Sequence, residues 1–223
     1  MIHHYVNLVC WATISLSFDE TRDKVWLDAI SSRFLVRLFR KDAAYRPGTK
    51  ALSELLPRDE LCTGWFFITA RPLQNMPTAT QVTLPFLPDS ADMKVPQSIL
   101  SVVESLPFGS RIAIGVSSPK QNRIAVQLHK LRPDLDYHCF GAALFNLEDT
   151  DRDRRDAARL SGSGMEWVSF LRRSPRRTLL KIRATLFEIG KIIAVPSVRK
   201  QFRDFSMMCE PRISHGVSQP PEG

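Results

Sequence analysis

The chain reads as an α/β protein: a parallel sheet with helices on both faces, followed by a basic C-terminal helical appendage. Three observations predict this. Short apolar runs alternate with helix-period segments through the first 150 residues, the pattern of strand–helix–strand units. A length of 223 residues suits one ordinary domain with an appendage and is enough to bury a sizeable core. The charge is lopsided. Residues 152–223 carry 15 Lys and Arg against 7 Asp and Glu, whereas the first 151 residues hold 16 of each. All of the basic excess therefore lies in the last third, which points to an anionic partner there.

The elements follow in order. Val6–Leu16 is apolar and β-branched enough for a strand, with a helix start as the alternative. "KVWL" (24–27) reads as a buried strand. Apolar residues at 30, 34, 35, 38 and 39 place a helix over Ile30–Phe39, so Asp28 falls at a strand-to-helix junction. "RPG" makes a turn before a short helix from Thr49 to Leu56. "WFFIT" (65–69) is a buried strand, and four prolines keep residues 73–96 irregular. "PQSILSVVESL" is a helix, "RIAIGV" a strand, and "PKQNRIAVQLHKL" a helix that Pro133 ends. A last short strand runs through "DYHC" into a glycine turn at Gly141. Ligands of such sheets sit beyond the carboxyl ends of the strands. The informative loops are then Asp28, Thr69–Pro72, Gly115–Gln121 and Gly141–Ala143.

These patterns divide the chain into a sheet domain over 1–150, a basic helical appendage over 151–200 and a disordered tail over 201–223. In the appendage Leu179, Ile182, Leu186, Ile189 and Ile193 recur at spacings of three and four, while Arg173, Arg177 and Lys181 line another face. Such a helix suits an anionic membrane, a nucleic acid or plain solvation. No recognisable nucleic-acid motif accompanies it.

Composition excludes other classes. With 43% hydrophobic and 24% charged residues, wholesale disorder is ruled out. No apolar run reaches the roughly 18–20 residues of a membrane span. The opening "MIHHYVNLVCWATISLSF" lacks the cationic start and cleavage site of a leader. Cys10, Cys62, Cys139 and Cys209 are widely spaced, as expected of idle thiols in a reducing cytoplasm rather than of disulfides or zinc. The acidic triplets at 149–153 lie in a charged run, and the histidines form no local ligand pair, so no metal is expected.

Two places carry chemistry on physical grounds alone. In "GVSSPKQN", Ser118 is placed to cap a helix and Pro119 to begin it. The free N–H groups, Lys120 and the Gln121 amide would then suit an anion, or this is an ordinary capped helix with a surface lysine. Asp28, flanked by Trp26, Leu27 and Ile30, is either a partly desolvated general base or a helix cap.

Taken in order, six segments resemble the WecG/TagA/CpsF glycosyltransferases. They are Leu27-Asp28-Ala29, Arg46-Pro47-Gly48-Thr49, Ser117-Ser118-Pro119-Lys120-Gln121-Asn122, Gly141-Ala142-Ala143, Gly164-Met165-Glu166-Trp167 and Ser174-Pro175-Arg176-Arg177. The likeness covers roughly residues 5–180. It implies a Rossmann-like domain and a membrane-reaching appendage. It further implies an inverting, metal-independent transfer of a sugar from a UDP-sugar to a polyprenyl-diphosphate-linked acceptor, in surface polysaccharide assembly and without a cofactor. By the same resemblance Asp28 is the base. Arg46, Gly48, Thr49, Ser118, Lys120, Gln121, Gly141 and Ala142 meet the donor and its diphosphate. Arg172, Arg173, Arg176 and Arg177 meet the acceptor diphosphate. The implied location is cytoplasmic, peripheral on the inner face of a bacterial plasma membrane, with no nucleic-acid partner and with a homo-oligomer left open. The chain departs from the family's pattern at Ala29, Asn122 and Ala157. The alternative reading is a catalytically idle relative that binds a lipid diphosphate or a partner protein.

Overall fold

In the computed structural model, six strands form one all-parallel sheet. The structure describes residues 1–7, 10–28, 30–56, 64–74, 80–86, 93–148, 171 and 175–211. The strands are β1 (Ile2–Val6), β2 (Asp23–Leu27), β3 (Trp65–Thr69), β4 (Gln81–Thr83), β5 (Arg111–Gly115) and β6 (Asp136–Cys139). Their order across the sheet is β2-β1-β6-β5-β3-β4. The helices are α1 (Trp11–Ser17), α2 (Ile30–Arg37), α3 (Gly48–Leu55), α4 (Gln97–Glu104), α5 (Lys120–Leu131), α6 (Pro175–Ala194) and α7 (Pro196–Met208). A 3-10 segment, Gly141–Glu148, follows β6. The fold is the expected Rossmann-like α/β class.

Both faces of the sheet are covered because parallel strands need helical crossovers. One face packs Ile68, Ile112, Ile114 and Tyr137 against α4 and α5, through Ile99, Val103, Ile124 and Leu128. The other packs Phe67 and Ala113 against Ala51 and Leu52 of α3 and Leu144 of the 3-10 segment. After β5 the chain moves to β6 on one side, and after β3 it moves to β4 on the other. The crevice of such a sheet therefore opens between β3 and β5, at their carboxyl ends.

Three expectations are corrected. The first strand is Ile2–Val6, and the segment from Trp11 onward is helix α1, so a strand over Val6–Leu16 is not found. Trp11 and Ile14 share one buried face at helical spacing, and that packing outweighs β-branched propensity. The proline-rich segment contains an edge strand, β4, held beside β3 and continued by the Leu84 N–H donating to the Thr69 carbonyl. The tail expected to be disordered from 201 is ordered through residue 211. A boundary at 200 would cut α7, whose Phe202 and Phe205 are fully buried against Trp11. Cys209 and Pro211 then bridge to Val25 and Ala43 and close the β2 edge. Residues 212–223 lie outside the described residues, as does most of the appendage before α6.

The Trp11 and Phe202 rings meet edge to face, 5.1 Å between centroids. Phe202→Ala is expected to destabilise the fold by about 3–5 kcal/mol, as for other buried aromatic truncations. Urea unfolding reads this, with Leu186→Ala on the exposed face of α6 shifting stability by about 0.5 kcal/mol or less.

His3 of β1 and His138 of β6 are register partners, and their rings stack 4.3 Å apart. Burial lowers the His3 pKa to about 4 and that of His138 to about 2, from 6.5. An unfolded chain therefore takes up protons below 6.5 that the folded one refuses, so stability falls as pH falls. Urea midpoints should drop from about pH 7.5 to about pH 5, before most carboxylates titrate, and drop less in His138→Phe.

Candidate functional site

The carboxyl ends of the strands deliver the candidate residues to one end of the sheet. Asp28 directly follows β2, and its N–H donates to the Val6 carbonyl beside it. Its half-buried Oδ1 accepts the Gly48 N–H at 2.5 Å, the first amide of α3. One carboxylate thus caps a helix that begins 20 residues later. Burial pushes the Asp28 pKa up, opposed by the Gly48 hydrogen bond and by the charge of Lys181 on α6. The appendage helix therefore sets a lysine within electrostatic reach of the aspartate.

Gly48 itself is close-packed. A Cβ there would lie 3.4 Å from Asp28 Oδ1 and 3.7 Å from Cβ of Ala143 in the 3-10 segment. The neighbouring Thr49 hydroxyl is buried without a hydrogen-bond partner. Arg46 is turned the other way. It pairs with Glu54 at 2.9 Å and lies over the Trp26 ring, so it serves α3 rather than facing Asp28.

The 3-10 segment lies across the strand ends. Gly141 has φ +58°, which only glycine adopts without strain, and a Cβ there would meet Gln121 Oε1 at 3.3 Å and the Val116 carbonyl at 3.4 Å. Gly115, the last residue of β5, leaves room for Leu144, whose Cδ2 would be 2.6 Å from a Cβ. The structure thus brings together Asp28, Gly48, Thr49, Gln121 and Gly141, five of the expected residues. Ala142 is the second residue of the same segment.

The helix start at "SSPKQN" differs from expectation. α5 begins at Lys120 with Pro119 as its cap, and Ser118 makes no capping bond. Its hydroxyl donates instead to Asn122 Oδ1 at 2.9 Å. The Gln121 N–H donates back to the Ser117 carbonyl, so that amide is not offered to an anion. Lys120 stands 5.2 Å from the Phe86 ring centroid. The Gln121 amide is buried, and its Oε1 lacks a partner, the kind of orphan that a bound polar group satisfies.

Ser118 and Asp28 are joined through Cys10, at the start of α1. Burial raises the Cys10 pKa, a Ser118 hydrogen bond opposes that, and the Asp28 charge adds to it. The acid and the α5 loop therefore share one neighbourhood at the end of β1.

The chain matches no family model, no curated protein and no solved structure. The site must therefore be read from its own geometry. Residues beyond the sequence-level set complete it. Arg71, just after β3, lies 4.4 Å over the Phe145 ring of the 3-10 segment. Phe86, just after β4, is 91% exposed beside Lys120. Both flank the crevice between β3 and β5. The Thr69–Pro72 loop was flagged by topology, whereas Phe86 sits in a proline-rich run with no strand signal. Of the four appendage arginines, Arg172 and Arg173 lie outside the described residues, Arg176 is exposed on α6, and Arg177 belongs to α6 without a described side chain. Ala29 and the segment around Ala157 and Trp167 also lie outside the described residues. Among the described residues no cluster of three or more metal-ligating side chains occurs, and no helix is long and apolar enough to cross a membrane.

Because Asp28 caps α3, Asp28→Ala should destabilise the fold by about 1–2 kcal/mol, the usual cost of losing a helix cap. Asp28→Asn keeps an acceptor for Gly48 and should unfold closer to wild type, as thermal or urea melts would read.

Proposed function

We propose that the chain is a sugar transferase. It moves a sugar from a UDP-sugar to a polyprenyl-diphosphate-linked acceptor at the cytoplasmic face of a membrane, with inversion, in surface polysaccharide assembly. The observation that supports this best is a half-buried carboxyl of raised pKa at the ligand end of a parallel sheet, the same end at which Arg71 and Lys120 stand. A carboxylate with raised proton affinity suits general-base work on an acceptor hydroxyl.

The chemistry follows from these groups. The acceptor oxygen attacks the anomeric carbon of the donor and passes its proton to Asp28. The bond from that carbon to the diphosphate oxygen breaks, and UDP leaves with the electron pair. Lys120 and Arg71 flank the crevice, where their charge opposes the charge building on the departing diphosphate. The open Phe86 ring offers a flat apolar surface of the kind a base stacks on. The buried Thr49 and Gln121 groups without partners suit sugar hydroxyls.

α6 suits the membrane side of this reading. Leu179, Leu186, Phe187 and Ile193 are exposed along one face, with Arg176 and Arg183 on the same side. An apolar stripe edged by cations is the pattern of a helix lying on anionic lipid. Lys181 of the same helix reaches Asp28 electrostatically, so lipid contact and the base belong to one element.

A second reading, a catalytically idle binder of a lipid diphosphate or a partner, is favoured by one observation. Asp28 is already engaged with the first amide of α3. The two readings separate by UDP release from a panel of UDP-sugars with membrane lipid extract. The transferase reading expects release by wild type and a loss of about 100-fold or more in Asp28→Asn, the scale of a lost general base. Wild type that releases no UDP with any donor and extract would leave the binding reading in its place.

A further inference from the structure

Beneath the α5 loop a string of buried polar side chains runs into the sheet. The Ser118 hydroxyl donates to Asn122 Oδ1 at 2.9 Å. Asn122 Nδ2 lies 2.8 Å from His4 Nδ1, and His4 Nε2 lies 3.4 Å from Asp23 Oδ1. The Arg22 guanidinium grips both Asp23 oxygens, at 2.8 and 2.7 Å. Asn122, His4 and Asp23 are only 2%, 2% and 4% exposed. The string crosses from the α5 loop through the middle of β1 to the start of β2.

Its direction is dictated from the charged end. Burial pushes the Asp23 carboxyl up, but the hydrogen bonds from Arg22 and His4 outweigh this and hold it well below the usual range. An ionised carboxylate only accepts, so His4 Nε2 must carry a proton. A neutral imidazole has one N–H, so Nδ1 accepts and Asn122 must turn its NH2 toward it. The Asn122 carbonyl then faces Ser118, whose single hydroxyl proton is committed inward. What Ser118 shows the site is lone pairs.

We infer that His4 is a positioning residue that sets, through Asn122, whether Ser118 acts as an acceptor or a donor toward the ligand. With His4 neutral, Ser118 is an acceptor. With His4 doubly protonated, both ring nitrogens donate. The Asn122 amide must then flip to put its carbonyl on Nδ1, its NH2 turns to Ser118, and the hydroxyl proton is freed from Asn122, with the Cys10 sulfur and a bound ligand as its remaining acceptors. A donor at that position favours a diphosphate; an acceptor favours a sugar hydroxyl. Protonation thus switches the chemistry of the loop without moving its backbone. The groups around His4 are Asp23, held by Arg22 from the β2 side, Cys139 as its register partner on β6, and Asn122 from α5. The Arg22–Asp23 pair holds the far end of the string fixed, which leaves Asn122 as the member that turns.

The switch rests on reading the α5 loop as a donor site, and the experiment separates the two. Histidine-selective 15N NMR of the full chain reports each ring nitrogen, and UDP-N-acetylglucosamine is the binding probe because its diphosphate diester does not titrate between about pH 5 and 8. The expected result for the neutral ring is a proton on Nε2. Probe affinity should rise several-fold as His4 takes its second proton. Ser118→Ala should flatten that pH profile. Asn122→Asp should keep His4 doubly protonated to higher pH while its carboxylate still accepts from Ser118, and so also flatten the profile. A His4 protonated at Nδ1 alone near neutral pH, or a wild-type profile unchanged by Ser118→Ala, overturns the inference. Absence of probe binding at every pH counts against the donor-site reading; the string then stands or falls on the His4 tautomer and its response to Asn122→Asp.

Discussion

Parallel pairing is the constraint on which the rest of this molecule depends. Because all six strands run the same way, each releases its chain at the same end of the sheet. Asp28, Arg71, Phe86, the Ser117–Gln121 loop and Gly141 come from five different strand ends, yet they stand at one end of the sheet for that one reason. The same pairing buries both faces and forces the crossovers to be helical. It also explains why glycines stand at 48, 115 and 141. Three backbone segments converge over the strand ends, and a Cβ at any of them would press on a neighbour within 2.6–3.4 Å.

Asp28 illustrates how one group serves fold and chemistry together. A helix that starts with a free amide accepts a carboxylate gladly, and α3 finds one 20 residues upstream. That bond lowers the proton affinity of Asp28, whereas burial raises it more. Only one oxygen is engaged with Gly48, so the second is left for other work. Lys181 adds a further brake from α6. The proton affinity of an aspartate placed this way depends on whether α6 is seated, which ties Asp28 to the element that carries the apolar, cationic face.

The fold class was legible because strand and helix periods alternate plainly from β2 to β6. Boundaries failed where two periods overlap. Residues 2–17 are mostly apolar, and only the partners of His3 and His4 in β6 and β2 decide that the strand comes first. α7 was hidden for the opposite reason. Its polar residues read as tail, and its two phenylalanines acquire meaning only from Trp11, nearly 200 residues earlier. In the site, strand-end position points to Asp28, Gln121 and Gly141, which the structure places at one end of the sheet, whereas Gly48 follows only from the resemblance. The capping role given to Ser118 was misread, because its hydroxyl is turned to Asn122. The pairing of Arg46 with Glu54 of α3 has no signal in the sequence order.

Asn122 shows why a neutral amide suits its position in the string. In this chain a carboxylate at 122 would face His4 from one side while Asp23 faces it from the other. Two buried carboxylates around one imidazole would fix it as a cation and bury a second ion pair beside the Arg22–Asp23 one, at a desolvation cost. A neutral amide avoids that. It accepts from Ser118 and donates to His4 with no added charge, and it alone in the string can reverse its ends. The histidine in β1 and the asparagine in α5 are therefore physically coupled choices, and a carboxylate placed at 122 without a change at residue 4 would meet a site built around the amide.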